Sequence, residues 1–132
     1  MEKILFVCTG NTCRSSMAEG ILKAALEKHE SIRNKYIVAS AGVYAQEGDC
    51  ASDSAVSVLK SEWNVDISGH RARHLTRDLI EEASLLLTMT RSHKDAILSQ
   101  YPEAEPKVYT LKEFVSKEKP DRSIEADRKS VV

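Results

Sequence analysis

Ile4-Leu5-Phe6-Val7-Cys8-Thr9-Gly10-Asn11-Thr12-Cys13-Arg14-Ser15 is the stretch that decides the fold. An apolar run leads into a cysteine, a short polar stretch with a glycine follows, and an arginine and two serines open a helical pattern. This predicts a buried strand over residues 3–7, a phosphate-cradling loop over 8–14 and a helix N-terminus. Gly10 has no Cβ and admits φ > 0, and Asn11 tolerates the left-handed region better than most residues. Successive amides in such a turn face a common centre and form an anion nest. The following helix adds unpaired N–H groups and the positive end of its dipole. Arg14, six positions after Cys8, closes the loop and offers a planar fork to two phosphate oxygens. A free thiol titrates near ~8.5, whereas beside a helix N-terminus and a cation it drops to roughly 3.5–7.5. Cys8 is therefore expected as a thiolate at neutral pH, aimed at the oxyanion the loop holds.

Taken singly, these residues are bland. A cysteine after a buried strand is usually a small apolar side chain, and a Cys and an Arg six apart mean little. Strand, Cys, Gly-Asn, Arg-Ser and helix in that order are far more specific. A Walker-type nucleotide loop is excluded, because no Gly-Lys-Ser/Thr follows a glycine at the required spacing.

The bulk properties agree with one ordinary globular domain. The 132 residues suffice for one domain with a real core, 1–132, and are too few for two. A net charge of −1 supplies no basic field to draw the chain to nucleic acid or a membrane. Glu2-Lys3 leads straight into an apolar run too short for a secretory h-region, and no segment approaches a membrane span. Three cysteines, an odd and low number, favour a reducing cytoplasm over a disulfide scaffold. No Cys/His spacing resembles a zinc site, so neither metal nor cofactor is expected.

Strands then alternate with helices. The first helix is expected to start between Arg14 and Ser16, with capping-box spacing from Ser16 to Glu19. Met17, Ile21, Ala24, Ala25 and Lys28 mark its stripe, and it ends near Lys28-His29. Tyr36-Ile37-Val38-Ala39 reads as a second strand, followed by Ser40-Ala41-Gly42 and a turn-rich loop over 43–50. A helix over Ala51–Glu62 is expected to turn Ala55, Val58 and Leu59 inward, with Trp63 packed at its end. A polar connection, Asp66 to Arg73, carries a local basic cluster. Thr76 caps a short helix with Leu79, Ile80 and Ala83. Leu85–Met89 is a third buried strand, Ser92 opens a helix with Ala96, Ile97 and Tyr101, and Val108-Tyr109 is a fourth strand. A helical turn over Thr110–Val115 follows. The alternation implies an α/β fold: a four-stranded parallel sheet flanked by helices in three layers, with the phosphate loop after strand one. Ligands in such sheets sit at the carboxyl ends of the strands. From Lys117 to Val132, nine of sixteen residues are charged; a disordered tail or a short helix over 123–130 is expected there.

Val7-Cys8-Thr9-Gly10-Asn11-Thr12-Cys13-Arg14-Ser15 resembles the active-site loop of the low-molecular-weight protein tyrosine phosphatases. Ser40-Ala41-Gly42, Val65–Arg73, Leu87-Thr88-Met89-Thr90-Arg91-Ser92-His93 and Lys107–Leu111 resemble further blocks of that family in order, so the resemblance covers roughly residues 3–115. It implies that Cys8 attacks phosphorus and forms a phosphocysteine. Arg14 and the amides of Thr9, Gly10, Asn11, Thr12 and Cys13 would hold the phosphate oxygens, with Ser15 donating to the Cys8 thiolate. Asn11, Ser40 and His70 would support the loop. Cys13 would pair with Cys8 under oxidation and protect it. Phosphorylated proteins would be the substrates, inorganic phosphate the product, and the chain a monomer. Within the family, Cys-Thr-Gly-Asn-Thr-Cys-Arg-Ser is most similar to the protein-arginine phosphatase branch, where Thr12 replaces a common aliphatic residue. A hydroxyl there suits a phosphoguanidinium and the hydrolytic water, whereas an aliphatic wall suits a flat phenyl ring.

The family's general acid is an Asp in an Asp-Pro loop, and no Asp-Pro occurs here. Asp121, in Pro120-Asp121, is the first candidate and Asp127 the second. The family's closing helix is expected to be missing or shortened. Rival readings are a phosphotyrosine phosphatase, an arsenate reductase and a weakly catalytic anion-binding regulatory module. The reductase ranks low because residues 84–132 contain no cysteine.

Overall fold

The computed structural model describes residues 2–116. Strand β1 (Glu2–Cys8) lies inside a four-stranded parallel sheet of order β2-β1-β3-β4, with β2 at Tyr36–Gly42, β3 at Leu85–Thr88 and β4 at Val108–Thr110. The register sets Cys8 opposite Gly42 and Val7 opposite Thr88. Both faces of β1 are covered, which is why its apolar run is unbroken. Leu5 and Val7 pack with Leu86, Val108 and the inward residues of α3 (Arg77–Glu82) and α4 (Arg91–Gln100), namely Leu79, Ile80 and Ile97. Phe6 packs on the opposite face with Val38, Leu87 and residues of α1 (Arg14–Glu27) and α5 (Leu111–Ser116). The result is the expected three-layer α/β sandwich.

Helix α1 carries two apolar stripes rather than one. Ala18, Leu22 and Leu26 lie on the sheet, while Met17 and Ile21 meet Ala55, Leu59 and Ile67. The second contact comes from α2 (Asp53–Val58), which runs on as a π turn, Leu59–Trp63. The approach is close at Gly20, where a Cβ would stand 2.6 Å from Ile67 Cγ2.

Several local expectations are corrected. Val58 is 37% and Trp63 56% exposed. The inward arc of α2 is formed by Ala55, Val56 and Leu59, which at 100° per residue leaves Val58 off its edge. Asn64, left-handed at φ 54°, stops the helix directly after Trp63. No capping box forms on α1. Cys13 stands at the N-cap without a side-chain cap, Ser16 Oγ donates to the Cys13 carbonyl at 2.8 Å, and Glu19 is engaged elsewhere. Helix α4 opens one residue before Ser92, at Arg91, because Thr90 is its N-cap and accepts the His93 amide; Ala96 is exposed on it. The expectations for 117–132, including Asp121 and Asp127, lie outside the described residues.

Candidate active site

Strand β1 delivers Cys8 to the carboxyl edge of the sheet between β2 and β3, where the strand order switches direction. The side chain is buried at 5% exposure. The Asn11 amide donates to its sulfur at 3.2 Å, and Ser15 Oγ lies 2.8 Å away.

Asn11 organises the loop. It is fully buried and left-handed at φ 58°; the positive φ of the loop falls on Asn11 and not on Gly10. Its side chain donates from Nδ2 to Ser15 Oγ (2.9 Å) and Ser40 Oγ (2.8 Å). Its Oδ1 accepts the Arg73 amide at 2.8 Å, which settles which end of the side chain is oxygen. Its carbonyl accepts from His70 Nε2 at 2.6 Å.

The proton order follows from this. Each serine hydroxyl accepts from Asn11, so each turns its own proton onward. Ser15 donates to the Cys8 sulfur, and Ser40 donates to Glu19 Oε1. Sulfur and carboxylate are thus the two acceptor ends of one network. His70, donating from Nε2, keeps Nδ1 3.9 Å from the same Glu19 oxygen.

The loop is also held from outside. The Cys8 and Thr9 carbonyls accept the amides of Val43 and Tyr44, each at 2.9 Å, and the Thr12 carbonyl accepts that of Ser52 at 2.7 Å. The amides of Thr9, Gly10, Thr12 and Cys13 find no acceptor among the described residues. These unpaired donors beside a helix start are the anion nest the sequence suggested. Arg14 is exposed at the rim and makes no hydrogen bond or ion pair among the described residues. Thr12 is half-buried, and its hydroxyl has no partner among them either. Cys13 is exposed and unpaired. Nowhere among the described residues do three His, Cys, Asp or Glu side chains gather as a metal site needs.

Sequence reading assembles Cys8, Asn11, Arg14, Ser15, Ser40 and His70, and the structure brings all six to this edge of the sheet. It passes over Glu19, Arg73 and His93. His93 Nε2 meets Thr9 Oγ1 at 2.8 Å and Nδ1 meets Thr90 Oγ1 at 2.9 Å. Burial, and then the charge of Arg14, lower its pKa, so the ring is neutral at neutral pH.

The pattern of the family described as low molecular weight phosphotyrosine protein phosphatase matches residues 3–126. A protein-arginine-phosphatase of Geobacillus stearothermophilus is 46% identical over 118 residues, covering 86% of this chain and 72% of the relative. The low molecular weight protein-tyrosine-phosphatase PtpB of Staphylococcus epidermidis is 42% identical over 113 residues, covering 86% and 73%. Among solved structures, a low molecular weight protein tyrosine phosphatase from T. tengcongensis superimposes with a TM-score of 0.79 at 50% identity, covering 87% of this chain and 76% of that one.

Proposed function

Since the chain belongs to the low molecular weight phosphotyrosine protein phosphatase family, it is a cysteine-dependent protein phosphatase, and we propose that its substrate is phosphoarginine in proteins. The observation that carries this is Thr12. Its hydroxyl sits in the phosphate loop, half-buried and unengaged by the described residues. It is free to meet a polar guanidinium and to orient water against the intermediate. The protein-arginine-phosphatase relative at 46% identity supports the same substrate.

The chemistry runs in two balanced steps. Cys8 sulfur attacks phosphorus in line, an S–P bond forms, the P–N bond breaks and the leaving guanidine takes a proton. Water then attacks phosphorus, the S–P bond breaks and inorganic phosphate leaves. Arg14 and the loop amides stabilise the equatorial oxygens, where transition-state charge is spread. Ser15 stabilises sulfur as nucleophile and again as leaving group. Asp121, with Asp127 second, is assigned as the acid, a role worth ~10²–10⁴-fold; both lie outside the described residues. Oxidative pairing of Cys13 with Cys8 and a cytoplasmic location complete the reading. No helix among the described residues is long and apolar enough to cross a membrane.

Phosphotyrosine is the second reading, favoured by the tyrosine-phosphatase relative and structure. Matched phosphoarginine and phosphotyrosine peptides, assayed side by side, separate the two. Thr12→Ile should shift kcat/KM toward phosphotyrosine by about 10-fold or more, the scale on which a single pocket contact discriminates. An unchanged ratio would remove the case for phosphoarginine.

A further inference from the structure

The loop is held in two halves. Asn11 fastens the far half to α1, β2 and the segment around residues 70–73, and the Thr12 carbonyl fastens it to Ser52, the N-cap of α2. None of those bonds reaches the Thr9 side chain. Thr9 follows the nucleophile directly, and its amide is one of the unpaired donors of the nest. On the β3 side its tie is His93, through the 2.8 Å contact from Thr9 Oγ1 to Nε2.

His93 is well placed to transmit position. It is 5% exposed, so it has little freedom. Its other nitrogen lies 2.9 Å from the hydroxyl of Thr90, the N-cap of α4. The Thr90 carbonyl in turn accepts the hydroxyl of Thr88, the last residue of β3, at 3.0 Å. A neutral imidazole donates from one nitrogen and accepts at the other. Thr90, His93 and Thr9 therefore form one ordered hydrogen-bond chain across the β1/β3 switch point, and the neutrality imposed by burial and Arg14 preserves it.

We propose that His93 is a positioning residue for phosphoryl transfer, acting through Thr9 to fix the near half of the phosphate loop against the turn between β3 and α4. It rests on the phosphatase chemistry and is independent of whether arginine or tyrosine carries the phosphate.

The test uses p-nitrophenyl phosphate, an aryl phosphate with a good leaving group, and the full chain. His93→Ala and Thr9→Val each cut the same tie and should lower kcat by about 10-fold to 100-fold, the scale of a small misplacement of catalytic groups. The double variant should be no worse than either single one, because contacting residues that act as a unit are non-additive. His93→Gln, which keeps a neutral donor and acceptor in the ring's place, should recover most of the loss. Losses that multiply in the double variant would overturn the proposal, as would a His93→Ala protein that melts earlier with wild-type kcat. Failure of the phosphatase reading would show differently, as Cys8→Ser turning over the aryl phosphate as fast as the wild type. Tungstate affinity by calorimetry reads the Thr9–His93 coupling without turnover. The same non-additivity is expected there, and additive losses of affinity would count against it.

Discussion

Gly42→Ala is a one-methyl perturbation of β2 that should disable the loop after β1. A Cβ at Gly42 would stand 2.4 Å from the Thr9 carbonyl oxygen, 2.9 Å from Ala45 Cβ and 3.0 Å from the Asn11 amide nitrogen. Comfortable carbon–oxygen contact begins at about 3.3 Å, so the backbone must give by about 0.9 Å. The obstacle is main chain, and no rotamer relieves it. Strand β2 is poorly placed to yield, because Gly42 donates to the Arg73 carbonyl and accepts from Leu75, each at 2.9 Å. Displacement therefore falls on Thr9–Asn11, which carries the amide facing the Cys8 sulfur. Moving catalytic groups by about 1 Å costs ~10²-fold. Overpacking costs about 1–3 kcal/mol, less than the roughly 5–15 kcal/mol that holds a domain together. The variant should stay folded by circular dichroism and urea titration while kcat for an aryl phosphate drops about 100-fold. A folded Gly42→Ala protein with kcat within a few-fold of wild type would refute the reasoning.

Asn11→Ala strands the part-buried Arg73 amide, empties the polar centre of the loop and puts a side chain with no polar group at φ 58°. The expected loss is about 2–4 kcal/mol by urea denaturation, with a lower kcat as Ser15 loses its orienting donor; a loss under about 1 kcal/mol with kcat intact would contradict the network as described. His93 supplies a pH test. Its pKa is lowered by burial and then by Arg14, so the unfolded chain takes up the proton first as pH falls. Stability is thus present above about 6.5, declines as pH drops below it, and levels off once the folded ring also protonates. The melting temperature of the wild type should fall more steeply below about pH 6.5 than that of His93→Gln, and parallel slopes would rule the effect out.

The loop was legible because its chemistry is contiguous. Cys8, Gly10, Asn11 and Arg14 each carry a residue-specific physical property, and their spacing ties those properties together. Which of Gly10 and Asn11 takes the left-handed conformation was not legible, since both tolerate it. Arg73 was hidden for a different reason: it serves Asn11 through its backbone amide, and any residue but proline has one. Glu19 matched a local capping pattern with Ser16; it pairs instead with Lys23 one turn on and with Ser40, which lies 21 positions away. His93 is 84 positions from Thr9, so its role needs the β1–β3 pairing to exist first. Of the two stripes of α1 the sequence reading caught Met17 and Ile21, which α2 grips, and missed Ala18, Leu22 and Leu26, which lie on the sheet, because a single-stripe pattern leaves no room for a helix held on two sides.

The parallel order β2-β1-β3-β4 also has a consequence for biosynthesis. The nucleophile leaves the ribosome before every side chain that supports its loop, and those supports are spread as far as His93. At about 5–20 residues per second, some 85 residues take roughly 4–17 s to make. Until the last of them emerges the loop lacks its β3-side tie, and β1 lacks its β3 neighbour. The burial that shields Cys8 in the folded chain is therefore completed only after β3 has joined β1, and the nascent strand is exposed to oxidants and mispairing until then.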